Sequence, residues 1–318
     1  VRIVYPDADP QIKELLTKEL LFKLNGIADF EIFEGRPSTQ EEFLRRVQDA
    51  DGMLLGWGFP ADIMERCSSL KIISFLGAGV HNFIDVELAS RRGITVTNTP
   101  DYGSNAVAEH AMGLLFALAK NITQNDRRMK QGSWDPTISS LELKGKIIGL
   151  IGVGSIGKRM ADLCKAIGMH VIAWTQNPDA QRSKQLGIPF VGLEELLAKS
   201  DCISMHLPYT KQTEKFISER EFSMMKPGCI FINTARAELV DTFALVKYLS
   251  VGKLAGAGID VFDEEPVSSC NPLLKLDNVI LSPHVGFNTP EAITNILDIS
   301  INNLIDFFAG TPKNVVTL

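Results

Sequence analysis

Short apolar runs alternate along the chain with amphipathic stretches. The opening run Arg2-Ile3-Val4-Tyr5 closes at Pro6-Asp7, and Ile12, Leu15, Leu16, Leu20 and Lys23 then recur in a register of 3.6 residues, which predicts a helix. Residues 52–55, 71–76 and 94–97 read as strands, with helical stretches over 40–48 and 85–92 between them. A second series starts near Lys146, with strand-like runs at 147–151, 169–174, 202–207, 228–233, 257–261 and 279–281. A last helix over 290–309 carries Ile293, Ile296, Leu297, Ile301, Leu304 and Phe308 on one face. Strands that alternate with helices in this way predict parallel sheets covered on both faces, an α/β fold. The stretch 104–121, rich in Ala, Leu and Met, is apolar nearly all round, so it predicts a helix buried against another domain or a second copy of the chain. A homodimer through this helix is the expectation.

Composition narrows the function. A chain of 318 residues suggests two domains, and its 45% hydrophobic content suits folded cores. Lys and Arg total 32 against 38 Asp and Glu, a net charge of −6. Basic residues cluster no further than pairs such as Arg45-Arg46, so a nucleic-acid partner is not expected. The apolar run 111–119 is far short of the roughly 20 residues that span a bilayer, and Asp7 and Asp9 interrupt the first apolar run, unlike a signal peptide. A cytoplasmic protein without membrane partners is expected. Cys67, Cys164, Cys202, Cys229 and Cys270 are odd in number and scattered, which reads as reduced thiols. Cys202 and His206 share a strand pattern but do not complete a metal site, so no metal is expected.

The strongest chemical signal is Gly152-Val153-Gly154-Ser155-Ile156-Gly157. It follows a strand pattern, opens a helix pattern over 156–167, and is completed by a second strand at 169–174. A βαβ unit of about 30 residues is the context that turns this spacing into a dinucleotide fingerprint. The first glycine permits the turn, the second lets backbone approach a pyrophosphate, and the third lets the helix pack close. An acidic residue for the adenosine ribose should end the second strand, but Thr175 stands there, followed by Gln176 and Asn177, with no arginine before Arg182. The cofactor is therefore a nicotinamide dinucleotide, with NAD and NADP both open. Three polar residues also follow strand patterns: Arg236 after 228–233, Glu265 after 257–261, and His284 after 279–281. Ligands of open α/β sheets bind beyond the carboxyl ends of the strands, where all three could converge.

With these motifs the chain resembles the D-2-hydroxyacid dehydrogenases, the family that includes glyoxylate/hydroxypyruvate reductases and D-3-phosphoglycerate dehydrogenases. The likeness runs over essentially the whole length: the glycine fingerprint, Asn233-x-x-Arg236 with Val240-Asp241, Asp260-Val261-Phe262 with Glu265-Pro266, and Pro283-His284-x-Gly286. It implies a Rossmann doubly wound domain, here 100–284, inserted in a flavodoxin-like α/β substrate domain made of 1–99 and 285–318. It also implies that His284 is the acid/base, Glu265 its partner, and Arg236 the substrate anchor. Gly77, Ala78 and Gly79 would hold the substrate carboxylate through backbone N–H groups. Gly152, Gly154, Ser155, Ile156, Gly157, Thr175, His206, Pro208, Thr234, Ala235 and Asp260 would line the cofactor, with Asp260 near the nicotinamide carboxamide.

The expected activity is hydride transfer between NAD(P)H and a small 2-oxo acid, giving its D-2-hydroxy acid. Histidine titrates near neutrality and can give the carbonyl its proton, a carboxylate beside it keeps it charged, and arginine binds the substrate carboxylate. A cleft between the domains is expected to close on the cofactor, with hinges near 98–100 and Pro283. Ala237, His81 and Phe287 depart from the residues common at their positions. Phe287 and Tyr102 read as packing aromatics, and Trp134 as interdomain or interface packing. Two other readings stay open on this scaffold: a cofactor-bound sensor or corepressor-like protein, and a formate- or phosphonate-type dehydrogenase.

Overall fold

Two all-parallel sheets organise the computed structural model, which describes residues 1–317 apart from the side chains of Gln11 and Asn82. Leu318, where the expected second segment of the substrate domain ends, lies outside the described residues. The first sheet holds β1 (Arg2–Ala8), β2 (Asp29–Glu34), β3 (Gly52–Leu55), β4 (Ile72–Phe75) and β5 (Thr95–Thr97) in the order β2-β1-β3-β4-β5. That is the flavodoxin-like order. The second sheet holds β6 (Ile147–Ile151), β7 (His170–Trp174), β8 (Cys202–Met205), β9 (Cys229–Asn233), β10 (Leu254–Ile259) and β11 (Val279–Leu281). Its order is β11-β10-β9-β8-β6-β7, so the chain leaves β6 for β7 on one side and returns to β8 on the other. The α/β class and both sheet types follow the expectation.

The chain divides into two compact units, Val1–Gly103 with Asn288–Leu318, and Ser104–Phe287. The crossings fall at 103/104 and 287/288, not at 99/100 and 284/285. Hydrogen bonds account for the shift. In the first unit Thr99 N donates to Gly77 O and Asn295 Nδ2 to Tyr102 O, which keeps residues 99–102 with β4 and the last helix. In the second, Asp260 accepts from the N–H groups of Val285 and Gly286, which holds them beyond β10.

The second sheet is buried on both faces, and alternation along its strands sorts side chains between two cores. Ile148, Leu150, Ile230 and Ile232 pack on one side with the helices Ser104–Ala119 and Ser155–Ala166. Ile203, Met205 and Phe231 pack on the other with Leu196, Phe222 and Leu245. Each such side chain taken fully out of water contributes roughly 1.5–3 kcal/mol. This burial on both faces is why β6 and β9 read as unbroken apolar runs.

Local expectations fared unevenly. The helix expected over Ile12 to Lys23 is two short helices, Pro10–Leu15 and Lys18–Phe22. Thr17 separates them in an extended conformation, its hydroxyl accepting from Leu20 N as an N-cap. The helix expected over 104–121 is Ser104–Ala119, and Asn121, with φ +51°, begins a new one at Ile122–Lys130. Part of its apolar surface is covered within its own unit: Ala108, Ala111, Met112 and Leu115 are buried in that core, while Asn105, Glu109 and Gly113 face outward. Among the described residues no helix is long and apolar enough to cross a membrane.

Candidate active site

The carboxyl ends of the second sheet collect the expected site residues of that unit. At the end of β6, Gly152 has φ +98°, and a Cβ there would lie 2.4 Å from the carbonyl oxygen of His206. A Cβ on Gly157 would lie 2.3 Å from Gly152 O. Both glycines are therefore required by the protein itself. Gly154 is different: its φ of −76° suits any residue, and a Cβ would meet nothing within 4 Å. It keeps space open over the first turn of Ser155–Ala166, a helix that starts without a side-chain cap. The N–H groups of Ser155, Ile156 and Gly157 lead that helix and have no carbonyl within it to bond.

Across the switch point between β6 and β8, His206 and Pro208 follow β8. His206 Nε2 is shielded from solvent with no hydrogen-bond partner among the described residues, and burial pulls the imidazole down to about 4. The Thr234 hydroxyl, just past β9, is likewise buried and unpartnered among the described residues. Beside it, Ala235 N donates to Asn233 Oδ1 at 3.0 Å. Thr175 follows β7, half-buried. The Arg182 guanidinium donates to Val153 O inside the glycine loop. An open glycine, an uncapped helix start and two orphaned polar atoms fit a phosphate-bearing dinucleotide.

Beyond β9, the buried Asn233 folds the chain back. Its amide donates to Arg236 O at 2.9 Å while its oxygen takes Ala235 N, so Arg236 sits at the mouth of the turn Ala237–Leu239. The guanidinium donates to Ala235 O at 2.7 Å through Nη1, which leaves most of its donors for other acceptors. Beyond β10, Glu265 Oε1 accepts from Phe262 N at 3.0 Å, and its Oε2 lies 2.7 Å from His284 Nδ1. His284 stands after β11 with φ +53°, in the left-handed region that a histidine seldom adopts. Both side chains are a little over one third exposed. With Nδ1 held by the carboxylate, Nε2 is the ring nitrogen left to exchange a proton, and it makes no hydrogen bond among the described residues. The structure thus pairs His284 with Glu265 and sets Arg236 at the end of the strand next to theirs.

Asp260 is 1% exposed and turned inward. Its Oδ1 accepts from Ser282 Oγ at 2.5 Å and Val285 N at 3.0 Å, and its Oδ2 accepts from Gly286 N at 2.8 Å. His110 Nε2 lies 2.8 Å from Ser282 Oγ and 3.4 Å from Asp260 Oδ1. Burial raises the Asp260 carboxyl, but His110, Ser282 and the two backbone donors outweigh it and hold the group below its ordinary value. Sequence reasoning missed His110 and Ser282. A histidine in the middle of an otherwise apolar helix was the available signal.

The expected substrate loop lies in the first unit, after β4. A Cβ on Gly77 would come within 2.6 Å of the Phe75 ring, so any larger residue would force that ring to move. Thr99 N donates to Gly77 O at 3.0 Å and Asn98 Nδ2 to Ala78 O at 2.9 Å, leading the chain through Gly79 into the short turn Val80–Asn82. Trp134 is 80% exposed, so it packs on little of its own unit. Phe287 meets His284 edge-on, with ring centroids 6.2 Å apart.

Comparison with known proteins agrees with this geometry. Residues 112–286 match the family model described as D-isomer specific 2-hydroxyacid dehydrogenase, NAD binding domain. The D-3-phosphoglycerate dehydrogenase of Archaeoglobus fulgidus is 39% identical over 88% of this chain, which spans only 54% of that protein. The glyoxylate reductase of Pyrococcus furiosus is 39% identical over 87% of this chain and 85% of its own length. A solved acyclic imino acid reductase, in complex with NADPH and D-Arg, superposes with a TM-score of 0.87 at 32% identity, covering all of both chains. The chain belongs to the D-isomer specific 2-hydroxyacid dehydrogenases, a family of nicotinamide-dependent oxidoreductases.

Proposed function

We propose that this protein interconverts a small 2-oxo acid and its D-2-hydroxy acid with NAD or NADP, His284 acting as acid/base, Glu265 as its partner and Arg236 as the substrate anchor. One observation carries the reading: the 2.7 Å contact between His284 Nδ1 and Glu265 Oε2, at strand ends of the sheet whose first βα turn forms the dinucleotide cradle. Bound at that cradle, the nicotinamide supplies the hydride in reduction and accepts it in oxidation. Protonated His284 donates from Nε2 to the carbonyl oxygen as the carbon is reduced, and the Glu265 carboxylate, held at Nδ1, orients the ring for this donation. In oxidation the same nitrogen takes the hydroxyl proton. The free N–H groups of Arg236 bind the substrate carboxylate and polarise its carbonyl. The backbone N–H groups of Gly77, Ala78 and Gly79 are assigned to that carboxylate as well.

Glyoxylate is the first substrate to test, because the Pyrococcus furiosus glyoxylate reductase is 39% identical over 87% of this chain. The assay follows the absorbance of reduced nicotinamide with NADH and with NADPH against glyoxylate, hydroxypyruvate, pyruvate and bulkier 2-oxo acids. Turnover of at least one of these is the expected result. Tight cofactor binding without turnover across the panel would reject the reading in favour of a sensor or corepressor-like role. Turnover of formate or phosphonate alone would place the chain with the other dehydrogenases of this scaffold.

A further inference from the structure

Three residues around His284 are tied to one buried carboxylate. Ser282 lies two positions before it, and Val285 and Gly286 are the two that follow; all three donate to Asp260. His284 N also donates to Ser282 O at 3.0 Å, closing a tight turn. Inside this turn His284 is held at φ +53°, a conformation a histidine leaves readily when nothing restrains it. The packing there is close: a Cβ on Gly286 would come within 2.9 Å of Asp260 Oδ2 and 3.4 Å of the His110 ring.

The protons in this cluster have a definite direction. Ser282 has a single hydroxyl hydrogen, and it goes to Asp260 Oδ1 across 2.5 Å. Its oxygen is then the acceptor toward His110, so His110 must carry hydrogen on Nε2. At 3.4 Å the same N–H also faces Asp260 Oδ1. His110 comes from the helix Ser104–Ala119, 172 residues before Ser282. It makes no hydrogen bond or ion pair with Glu265 or Arg236 among the described residues, so its effect must pass through the turn.

We propose that His110 is a positioning residue: by donating to Ser282 and Asp260 it holds the left-handed turn that presents His284 to Glu265. This deepens the reading of His284 as proton donor and rests on it for any effect on turnover. Losing the His110 donor frees Ser282 Oγ to rotate and loosens the anchor of residues 285–286. The imidazole then spends less time against Glu265.

The test uses His110→Leu, which removes the donor, and His110→Gln, which offers an amide N–H from a side chain of similar reach. Steady-state kinetics and NMR of histidine labelled with carbon-13 are read on the same samples. The chain has five histidines, and the His284 signal is identified by its loss in His284→Gln. In His110→Leu, kcat should fall roughly tenfold, the worth of about one hydrogen bond, with KM for the cofactor unchanged. The His284 signal should shift or broaden. In His110→Gln both readouts should return toward the parent values, which a purely structural role does not predict. A folded His110→Leu protein with parental kcat and an unmoved His284 signal overturns the proposal. Should His110→Leu not fold, Ser282→Ala is read by the same criteria. Should the parent protein turn over no 2-oxo acid, the NMR comparison still decides the positioning role, and only the functional reading falls.

Discussion

Alanine at Gly154 and alanine at Gly152 should have opposite consequences, although the two glycines are two residues apart in one loop. At Gly154 the backbone is in an ordinary region and a methyl group meets open space. Replacing glycine there restricts the unfolded chain and should leave the free protein as stable or stabler by about 0.4–1 kcal/mol. At Gly152 the φ of +98° and a backbone oxygen 2.4 Å from the new methyl group oppose the change. The conformational cost is about 1–2 kcal/mol, and the forced shift adds about 1–3 kcal/mol. For a unit of this size each kcal/mol moves Tm by roughly 2–4 °C. Gly152→Ala should therefore melt about 4–20 °C lower, and Gly154→Ala at or slightly above the parent temperature. Calorimetry of the free protein measures this, and titration with reduced cofactor supplies the second arm. If a pyrophosphate occupies the space over Gly154, the methyl group costs about 1–3 kcal/mol of binding, roughly a 5- to 150-fold weaker Kd. Equal losses of stability in both variants, or parental cofactor affinity in Gly154→Ala, would refute the assignment of the cradle.

Two further outcomes follow from the same geometry. Arg236→Ala should lower kcat/KM for the 2-oxo acid by about 10²-fold or more, because charge-assisted hydrogen bonds to a carboxylate are lost. Cofactor affinity should stay at the parent value, and unchanged kcat/KM removes Arg236 from the substrate. His206 predicts a stability change in acid. Its imidazole is held neutral down to about 4, below the ordinary 6.5, so between those values the unfolded chain binds the extra proton. Stability from this group is therefore present above about pH 6.5 and lost as pH falls toward 4, by roughly 3 kcal/mol in all. Unfolding in urea across that range should show a shallower dependence on pH in His206→Gln; an identical slope contradicts the burial argument.

The parts of this molecule legible in the sequence are those whose cause is local or periodic. Gly152, Gly154 and Gly157 announce themselves because a turn, a close approach and a helix contact lie within one short segment. Both sheets follow from apolar runs separated by amphipathic stretches, and the runs of β6 and β9 are unbroken because both of their faces are covered. β2 escaped notice for the opposite reason. As an edge strand of alternating charge and partial exposure, Asp29–Glu34 carries no apolar run to mark it. The break at Thr17 was hidden because apolar spacing continues through it, while a single hydroxyl decides the cap. His284 and Glu265 could be named from the motifs around them, but their contact depends on a left-handed backbone that spacing does not encode. His110 stands out in the sequence as a histidine in a largely apolar helix, but its role does not, because both its partners lie more than a hundred residues away in the chain, among motifs read for other roles.

The most direct measurement of the central claim is the single-turnover rate of reduced-cofactor oxidation by glyoxylate, or by whichever 2-oxo acid proves best, in His284→Ala and the parent. Cofactor affinity is measured on the same samples. With His284 as the proton donor, the rate should fall by about 10²–10⁴ while the cofactor binds as before. A variant that binds cofactor normally and turns over at the parent rate would contradict the account.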